Sequence, residues 1–490
     1  MKEVKFDFNN LFDFSLGPDQ GVSETQLKEL LPALQAAQKH LTGLINSPRN
    51  SVKLGLEWAQ LPFQNKKTLK EIQGLGNQIA KDYENVIFLG IGGSYLGLKA
   101  AQDALRPPYY NEFSALRNNR PRIYFGGNNL DPDTLASLLK NLNPKKTFVV
   151  VISKSGETTE TKAAFMVVVD WLERRVGKNF GWQIAAITDP ESGSLRQTVN
   201  AAHKKDKLAF RSLPLLKGVG GRFSELNMGL LHLAVLGIDI QEVLDGAASM
   251  AKRCQASDVF GNPAYMYAAL HTILYRQKGK SIAIMMPFSE TLKSTADWYV
   301  QLLAESLGKK FARKIAVNQD QAEEWASDKE NILNVGRTPV SSRGTNDLHS
   351  IQQNNIEGEN NKVVTFIRVE QFRDKINVPS GRDILSGKNF AQLLALAQEA
   401  TEWALTRESR PNCTIILPKV SPYYWGGLIF FLEMATAFEG ELLNINAFDQ
   451  PGVEGYKNYM YYKLGKPGIS EEVAGEIKNN PLTKNAKFIL

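Results

Sequence analysis

The sequence predicts an α/β protein built from parallel β-sheets that are covered by helices on both faces. From about residue 82, short runs rich in Val, Ile and Phe alternate with longer amphipathic stretches, and each run ends in turn-forming residues. Continuous apolar strands separated by helices are typical of parallel βαβ units. The 490 residues, 43% of them hydrophobic and 22% charged, suffice for roughly three units or two large ones.

The composition argues against several other classes of protein. Its proportions are close to globular averages, which disfavours disordered, collagen-like and coiled-coil chains. Cys254 and Cys413 are too few and too far apart for a disulfide framework or a thiolate metal site, and they favour a reducing compartment. The net charge of +7 is spread without a block of like charge, which argues against a nucleic-acid partner and suits a small anionic substrate.

The sequence predicts neither a secretory leader nor a membrane segment. Its N-terminus has acidic and polar residues where a secretory peptide has an apolar run. The longest apolar stretch, residues 423–438, is interrupted by Glu433 and is shorter than the roughly 20 residues that a spanning helix needs. We therefore expect a cytoplasmic protein without a membrane partner.

The first series of elements predicts one α/β domain. Its strands are apolar runs that lead into the turn clusters GIGGS, GGNN, SKSGET and TDPESG, and they cover residues 86–89, 122–125, 147–152 and 183–188. A helical pattern covers residues 159–176. Asp131 before Pro132 predicts another helix start, because Asp is a favoured N-cap residue and Pro a favoured first helical residue.

A second series predicts a second α/β domain. It follows a mostly helical stretch at 224–277, and its strands are expected at 281–287, 314–317, 363–369 and 413–418. An N-terminal helix is expected at 24–45. The predicted division is a helical segment at 1–80, α/β domains at 81–280 and 281–450, and a C-terminal helical segment at 451–490.

The loop at 152–158 is the first candidate binding site. Ligands of open parallel sheets bind beyond the carboxyl ends of the strands, and this loop joins a strongly apolar strand to a helix. Ser153, Ser155 and Thr158 bring hydroxyls to the free amides of a helix N-terminus, which can hold a phosphate without a metal. An ordinary capped turn is the alternative that the local pattern leaves open.

The Gly-rich turn at 90–94 resembles a dinucleotide-binding fingerprint. Its spacing departs from G-x-G-x-x-G, however, and no acidic residue ends the next strand. We therefore expect no nicotinamide cofactor. The glycines either let a substrate lie close to the backbone or simply make a tight turn.

Two segments carry candidate groups for charge stabilisation and proton transfer. Arg222, in GGRFS, can clamp an anion, although a solvated arginine at a capped helix start is the interpretation that the local pattern favours. Gln301 and Glu305 are four residues apart on a helical stretch and share one face. Taken alone, a surface pair between Glu305 and Lys309 is the better interpretation there.

His349 and Lys457 complete the candidate groups. His349 follows a polar loop and is better placed for proton transfer than the histidines with apolar neighbours. Lys457, in QPGVEGYK at the start of the last substantial helix, can carry charge into a site or pair with Glu454. No histidine spacing suits zinc and no acidic loop suits calcium or magnesium, so we expect neither a metal nor another cofactor.

Five segments occur in the order found in the glucose-6-phosphate isomerases: ISKSGET, GGRFS, QLLAESLGK, GTNDLH and FDQPGVEGYK. The chain resembles this family over roughly residues 55–465, and its length and Pro-Gly-Val-Glu segment are similar to bacterial members. The resemblance implies two α/β/α sandwich domains of the sugar-isomerase (SIS) type and a homodimer. It also implies reversible isomerisation of glucose 6-phosphate to fructose 6-phosphate through a cis-enediolate, in glycolysis and gluconeogenesis.

The resemblance further implies roles for individual residues. Those implied to bind the phosphosugar are Gly93, Ser94, Ser153, Lys154, Ser155, Thr158, Gln301 and Gln450. Glu305 corresponds to the base that moves the proton, and Arg222 to the arginine that steadies the enediolate. His349 and Lys457 correspond to the residues assigned to ring opening, and in that family the histidine reaches in from the neighbouring subunit.

Two other functions stay open at this point. Sugar-isomerase domains also occur in regulators, so a non-catalytic phosphosugar sensor is an alternative. The joint presence of Glu305, His349, Lys457 and Arg222 disfavours it, because binding alone does not need all four. A side activity on mannose 6-phosphate, which differs only at C2, is compatible with the same residues.

Overall fold

The computed structural model describes residues 3–256, 258 and 260–490, in two compact units, Met1–Ala447 and Phe448–Leu490. The N-terminal elements are β1 (Lys5–Asp7), α1 (Asp13–Leu16), α2 (Glu24–Asn46), α3 (Pro48–Leu54) and α4 (Lys66–Asp82). Helix α2 confirms the helix predicted at 24–45. A capping box between Ser23 and Gln26 fixes its start.

The first sheet confirms the predicted fold class. Its strands are β2 (Asn85–Leu89), β3 (Arg122–Gly126), β4 (Thr147–Ile152), β5 (Ile184–Thr188) and β6 (Arg211–Pro214), all parallel, in the order β3-β2-β4-β5-β6. The helices of this region are α5 (Leu96–Leu105), α6 (Ser114–Arg117), α7 (Pro132–Asn141), α8 (Thr159–Val176) and α9 (Ser194–Lys205). Every residue of β2, β4 and β5 is buried, because helices cover both faces of the sheet.

Two details of this region compare directly with the sequence. Asp131 caps α7 as predicted, since its Oδ1 accepts a hydrogen bond from the Asp133 amide at 2.9 Å. Strand β6 was not predicted. It lies at the edge of the sheet and its residues are only partly buried, so its sequence lacks the continuous apolar run of the other strands.

A helical layer follows, and a second sheet after it. The layer contains α10 (Glu225–Leu236), α11 (Ile240–Cys254) and α12 (Pro263–Lys278). The strands that come next are β7 (Ile282–Pro287), β8 (Lys309–Val317), β9 (Glu323–Val335), β10 (Thr338–Ser341), β11 (Lys362–Gln371) and β12 (Asn412–Lys419). The accompanying helices are α13 (Lys293–Leu307), α14 (Gln352–Glu357), α15 (Phe390–Arg407) and α16 (Pro422–Leu442).

The second sheet has the order β1-β12-β11-β7-β10, and β1 pairs antiparallel with β12 while the other strands run parallel. The predicted strand at 314–317 exists, but it does not belong to this sheet. It is part of β8, which pairs antiparallel with β9 in a separate two-stranded sheet. The five residues between β8 and β9 are too few for the crossover that a parallel pair needs.

Helix α16 joins the two halves of the first unit. It is buried along most of its length and packs against α11 at two glycines. A Cβ atom on Gly246 would lie 1.7 Å from the Tyr423 carbonyl oxygen, and one on Gly426 would lie 2.0 Å from the Val243 carbonyl oxygen. Elements from both predicted α/β domains therefore share one core, and the division near residue 280 stays a prediction.

The second unit, Phe448–Leu490, is helical. It contains the 3₁₀ turn Pro451–Val453, α17 (Glu454–Lys463) and α18 (Glu471–Asn479). Among the helices of the described residues, none combines the length and the apolar character needed to cross a membrane.

Candidate active site

The loop between β4 and α8 is a compact turn that is held by its own hydroxyls. Ser153 Oγ accepts a hydrogen bond from the Gly156 amide at 3.0 Å, and Ser155 Oγ accepts one from the Glu157 amide at 3.1 Å. Thr158 is the N-cap residue of α8, and its side chain makes no capping hydrogen bond. Three hydroxyls and the first turn of a long helix thus lie at the carboxyl end of β4, where an anion is favoured.

The start of helix α9 packs against this loop. Gly156 has a φ of +77°, and a Cβ atom there would lie 2.4 Å from the Leu195 amide nitrogen, so both the backbone conformation and the close contact require glycine. The Ser194 amide donates to the Ser155 carbonyl at 2.9 Å. Glu157 pairs with Lys162 of α8 at 3.1 Å, which compensates the one negative charge of the loop.

Lys154 ties the loop to the segment that leads to Arg222. Its Nζ donates to the Lys217 carbonyl at 2.7 Å and to the Val219 carbonyl at 3.1 Å. Burial lowers the pKa of the Lys154 ammonium, and the carboxylates of Asp189 and Glu57 oppose this shift. The lysine that the resemblance implies to be a phosphate ligand therefore also holds two pieces of the site together.

The two Gly-rich turns touch each other. Gly92–Ser94 is a 3₁₀ turn, and a Cβ atom on Gly93 would lie 1.8 Å from the Gly221 carbonyl oxygen. Gly92 has a φ of +58°, and a Cβ atom there would lie 2.9 Å from Gln301 Nε2. The tight turn is confirmed, and close approach of a substrate to these glycines stays a prediction.

Arg222 is buried and joined to α13. The residue is 2% exposed, and it lies in the 3₁₀ turn Gly221–Phe223 just before α10. Its Nη1 lies 3.2 Å from Glu305 Oε2, its Nε donates to Ser306 Oγ at 2.8 Å, and its Nη2 donates to the Ala447 carbonyl at 2.7 Å. The interpretation of Arg222 as a solvated residue at a helix start is therefore wrong.

Glu305 stands on the last turns of α13 with its carboxylate half-buried. Gln301, one turn earlier, donates from Nε2 to Glu305 Oε1 at 3.0 Å, so the predicted shared face is confirmed. Lys309 is buried and donates from Nζ to the backbone carbonyls of Glu305 and Ser306. It caps the C-terminal end of the helix, where a cation is favoured, and is not one half of an exposed surface pair.

His349 lies on the loop that follows β10. It is exposed at the end of the 3₁₀ turn Asn346–His349, and none of the described residues forms a hydrogen bond or an ion pair with its ring. The loop before it is anchored at the carboxyl end of β7, where the Gly344 amide donates to the Pro287 carbonyl at 2.9 Å. Ser341, the last residue of β10, accepts a hydrogen bond at 2.7 Å from Lys293 Nζ at the first residue of α13, and Glu305 stands twelve residues later on that helix, about 18 Å along its axis.

Gln450 and Lys457 belong to the second unit. Lys457 Nζ lies 2.9 Å from Glu454 Oε1, which is the local pair that the sequence left open. Burial lowers the pKa of the Lys457 ammonium, but the Glu454 carboxylate outweighs it and the net shift is upward.

His232 and His271 are buried in helices, as their apolar neighbours predicted. No group of His, Cys, Asp and Glu in the described part of the chain has an arrangement that could hold a metal ion.

Two partners of Arg222 could not be recognised in the sequence. Ser306 follows Glu305 directly, and nothing in its local pattern separates it from any other serine at a helix end. The Ala447 carbonyl has no sequence signal at all, because any residue supplies the same backbone oxygen.

The sequence matches one protein-family model over most of its length. The family model described as phosphoglucose isomerase matches residues 66–474. The chain belongs to the phosphoglucose isomerase family.

Relatives in this family match the chain over nearly its whole length. A glucose-6-phosphate isomerase of Carboxydothermus hydrogenoformans is 38% identical over 99% of this chain and 99% of its own. One of Acetivibrio thermocellus is 34% identical over 96% of this chain and 98% of its own.

Solved structures give the same fold. A hypothetical protein of Thermus thermophilus is 31% identical, with a TM-score of 0.77 over 94% of this chain and 99% of that one. A glucose-6-phosphate isomerase of Chlamydia trachomatis, 23% identical, has a TM-score of 0.72 over 92% of this chain and 88% of that one. The predicted family and fold class are confirmed, and so is the prediction that this member of the phosphoglucose isomerase family is an enzyme.

Proposed function

We propose that Glu305 moves the proton in the reaction of this chain, the reversible isomerisation of glucose 6-phosphate to fructose 6-phosphate in glycolysis and gluconeogenesis. The observation that carries the proposal is the 3.2 Å pair between Glu305 and Arg222, whose side chains are 30% and 2% exposed. A general base must be ionised and within reach of the substrate, and a cation must lie where negative charge develops. The pair supports the proposal because a buried cation lies beside a carboxylate that is still partly exposed.

The hexose must open before the proton moves, because the ring form hides the carbonyl that acidifies the C2–H bond. His349 and Lys457 pass protons between the ring oxygen and the anomeric hydroxyl in this proposal. Glu305 then takes the proton from C2; the electron pair of the C2–H bond becomes the C1–C2 double bond, and the π pair of the C1 carbonyl moves onto O1 to give a cis-enediolate. The same carboxylate returns the proton to C1 while the proton of the C2 hydroxyl passes to O1, so that the C2 carbonyl forms, and Arg222 offsets the negative charge on the intermediate.

The phosphate is remote from the reacting carbons and supplies the binding energy that orients them. We assign it to the hydroxyls of Ser153, Ser155 and Thr158 and to the amides at the start of α8, with Lys154 holding the loop in place. The residues assigned to the sugar are Gly93, Ser94, Gln301 and Gln450. The contact between the two Gly-rich turns, and their contacts with α13 through Gln301 and Arg222, support the assignment of Gly93, Ser94 and Gln301.

The active form in this proposal is a homodimer in the cytoplasm, with His349 of one chain completing the site of the other. Two observations support the shared site: the His349 ring is exposed, and the strand before its loop meets α13 at Lys293, twelve residues before Glu305. Cys254 and Cys413 are both free and buried, which is in keeping with a reducing compartment.

The first test is turnover of fructose 6-phosphate in the presence of EDTA, coupled to a glucose-6-phosphate dehydrogenase. We expect rapid turnover by the native chain and a loss of about 100- to 10,000-fold in the Glu305→Gln variant, which keeps the shape and removes the base. Glu399→Gln, an exposed change on α15, is the matched control. Near-normal turnover by Glu305→Gln with an intact fold would falsify the assigned role.

The shared site has a test of its own. Glu305→Gln and His349→Ala chains are each expected to be inactive, and refolding an equal mixture should restore about a quarter of the native activity, because half of the dimers then carry one complete site. A site built within one chain predicts no recovery. Sedimentation of an active monomer would contradict the dimer as well.

A further inference from the structure

The second sheet has a crevice at the point that corresponds to the candidate active site of the first. In the first sheet the strand after β2 is β3 on one side, and the strand after β4 is β5 on the other, so the strand order reverses between β2 and β4. The loops at 90–94 and 152–158 follow these two strands. In the second sheet the order reverses in the same way between β7 and β11, which are followed by β10 and β12. Open parallel sheets bind ligands in the crevice beyond the carboxyl ends of the strands at such a reversal.

A cavity of about 370 Å³ lies at this reversal. It is lined by residues 289–291, which follow β7, by the end of β11 from Val369 onward, and by α15 at Phe390, Ala391 and Leu394. Pockets of about 300 to 1,000 Å³ suit small molecules. The residues that line this cavity are different from those assigned to the phosphosugar and to proton transfer, so the cavity is separate from the candidate active site.

One wall of the cavity belongs to a long connection between β11 and α15. Residues 372–389 contain no helix, and the ends of the connection are held together, since the Phe390 amide donates to the Ile376 carbonyl at 2.9 Å. Within it, the Val378 amide donates to the Lys388 carbonyl at 2.9 Å. A connection of this length is uncommon in a compact domain, and ordered examples commonly bind a ligand or cover a site.

Large apolar side chains of this connection and of the start of α15 are left in contact with water. Phe372, Ile376 and Phe390 are 38%, 60% and 57% exposed, and all three line the cavity. Single exposed apolar residues are normal on a protein surface, whereas several at one concave place are typical of a binding site. An apolar ligand in the cavity would remove this surface from water.

Two hydroxyls at the end of β7 give the cavity a polar group. Ser289 Oγ lies 3.0 Å from Thr291 Oγ1, so one of these hydroxyls donates to the other. Among the described residues neither hydroxyl has a further hydrogen-bond partner. One O–H and the remaining lone pairs are therefore available to a ligand.

The charged groups around the cavity balance one another. Glu290 pairs with Arg343 of the loop after β10 at 2.5 Å. Arg373 donates to the Ala104 carbonyl and is followed directly by Asp374. The apolar wall and the balanced charges complement an uncharged ligand, because an anion would meet two carboxylates there and a cation two guanidinium groups.

We propose that this crevice binds an uncharged, largely apolar small molecule with at least one hydrogen-bonding group, such as a substituted aromatic ring. Its apolar body packs against Phe372, Ile376 and Phe390, and its polar group bonds to the hydroxyls of Ser289 and Thr291. The inference goes beyond the proposed function and does not depend on it.

The experiment titrates the native full-length enzyme at neutral pH with 2-naphthol, an uncharged fused ring with one hydroxyl, and follows the fluorescence anisotropy of this probe. Binding should saturate at one site per chain. Ala391→Phe puts a ring into the crevice and should weaken binding about tenfold or more, whereas Ala400→Phe, an exposed change on the same helix, should bind like the native enzyme. Thr291→Val keeps the shape and removes a hydroxyl, so it should weaken binding about two- to tenfold.

Ile376→Ser replaces Ala391→Phe if the latter folds poorly, because Ile376 is exposed, and it should weaken binding as well. Equal binding by Ala391→Phe and Ala400→Phe, or no saturable binding by the native enzyme, overturns the inference. Displacement of 2-naphthol by fructose 6-phosphate overturns the separate site. A changed oligomeric state of Ala391→Phe in sedimentation assigns the crevice to contacts between copies of the chain and overturns the inference too. Failure of the Glu305 assignment leaves each of these outcomes unaffected.

Discussion

The Arg222–Glu305 and Arg337–Glu439 pairs are chemically alike, but the protein surrounds them differently. Arg337 and Glu439 are 0% and 1% exposed and meet through two hydrogen bonds, of 2.9 and 2.6 Å, in bidentate geometry. In the other pair, Arg222 Nη1 meets the half-buried Glu305 at 3.2 Å, while Nε and Nη2 donate to Ser306 and Ala447.

The difference shows how one kind of ion pair serves two purposes. A bidentate pair that is closed on all sides fixes the packing between the segment before β10 and α16, and it leaves no carboxylate oxygen for a substrate. In the Arg222–Glu305 pair the arginine is held firmly, while the Glu305 side chain stays 30% exposed. A base must combine these properties, because its charge has to be stabilised while its oxygen remains within reach.

The largest effect on stability is expected at the Arg337–Glu439 pair. Glu439→Gln leaves the Arg337 charge buried without its counterion, so the free energy of unfolding should fall by about 3–5 kcal/mol. Denaturant unfolding measures this loss. The kcat of the protein that remains folded should stay close to native, and a large loss of kcat at unchanged stability would contradict the comparison.

For the Arg222–Glu305 pair we expect the opposite, a large loss of activity with a small loss of stability. Arg222→Lys replaces a planar fork by a single ammonium, which cannot reach Glu305, Ser306 and the Ala447 carbonyl together. We expect kcat to fall by about 100- to 1,000-fold, with a smaller change in KM and only a modest change in Tm. Arg174→Lys, an exposed change on α8, serves as the control; equal losses in both variants would remove Arg222 from the mechanism.

A third buried ion pair, Arg313–Glu441, has a neighbouring histidine whose charge depends on pH. Arg313 and Glu441 form a buried bidentate pair, and His40 Nδ1 lies 2.7 Å from Glu441 Oε2. The hydrogen bond to Glu441 raises the pKa of His40 above its ordinary 6.5, although burial opposes this shift. The contribution of His40 to stability is therefore complete below pH 6.5 and is lost as the pH rises through the raised pKa.

The measurement for this pair is denaturant unfolding at several pH values between 6 and 8. The stability that His40→Gln loses relative to the native chain should be greatest at the acidic end, and below about 1 kcal/mol because His40 is partly exposed. A difference that does not vary with pH would show that the imidazole charge is not involved.

How much the sequence predicted depends on how local each signal is. The strand at 147–152 and the helix at 159–176 were predicted with the observed bounds, because a fully buried strand and a long periodic helix have strong local patterns. Strands β1 and β10 were missed, since runs of three and four residues carry little signal. Strand β8 was recognised, but its partner was not, because pairing depends on the connection to β9.

The candidate site likewise contains residues that a local pattern could place and residues that it could not. The hydroxyls at 153–158 could be placed at a helix start from the loop alone, although an ordinary capped turn stayed open as the alternative to an anion site. Arg222 could not be placed in this way, since the atoms that bury it lie 84 and 225 positions away, at Ser306 and Ala447. The place of His349 likewise depends on how the loop after β10 folds.

The sequence by itself determined the α/β class, the strand–turn–helix form of the loop at 153–158, the helical face shared by Gln301 and Glu305 and, through ordered segments, the family. These properties depend on residues within a few positions of each other, whose geometry the backbone imposes. Only the tertiary structure decided that Arg222 is buried against Glu305 and that Lys154 holds the loop to the segment before Arg222. Burial and charge pairing arise between distant segments, and they change the properties of a side chain without changing its local sequence.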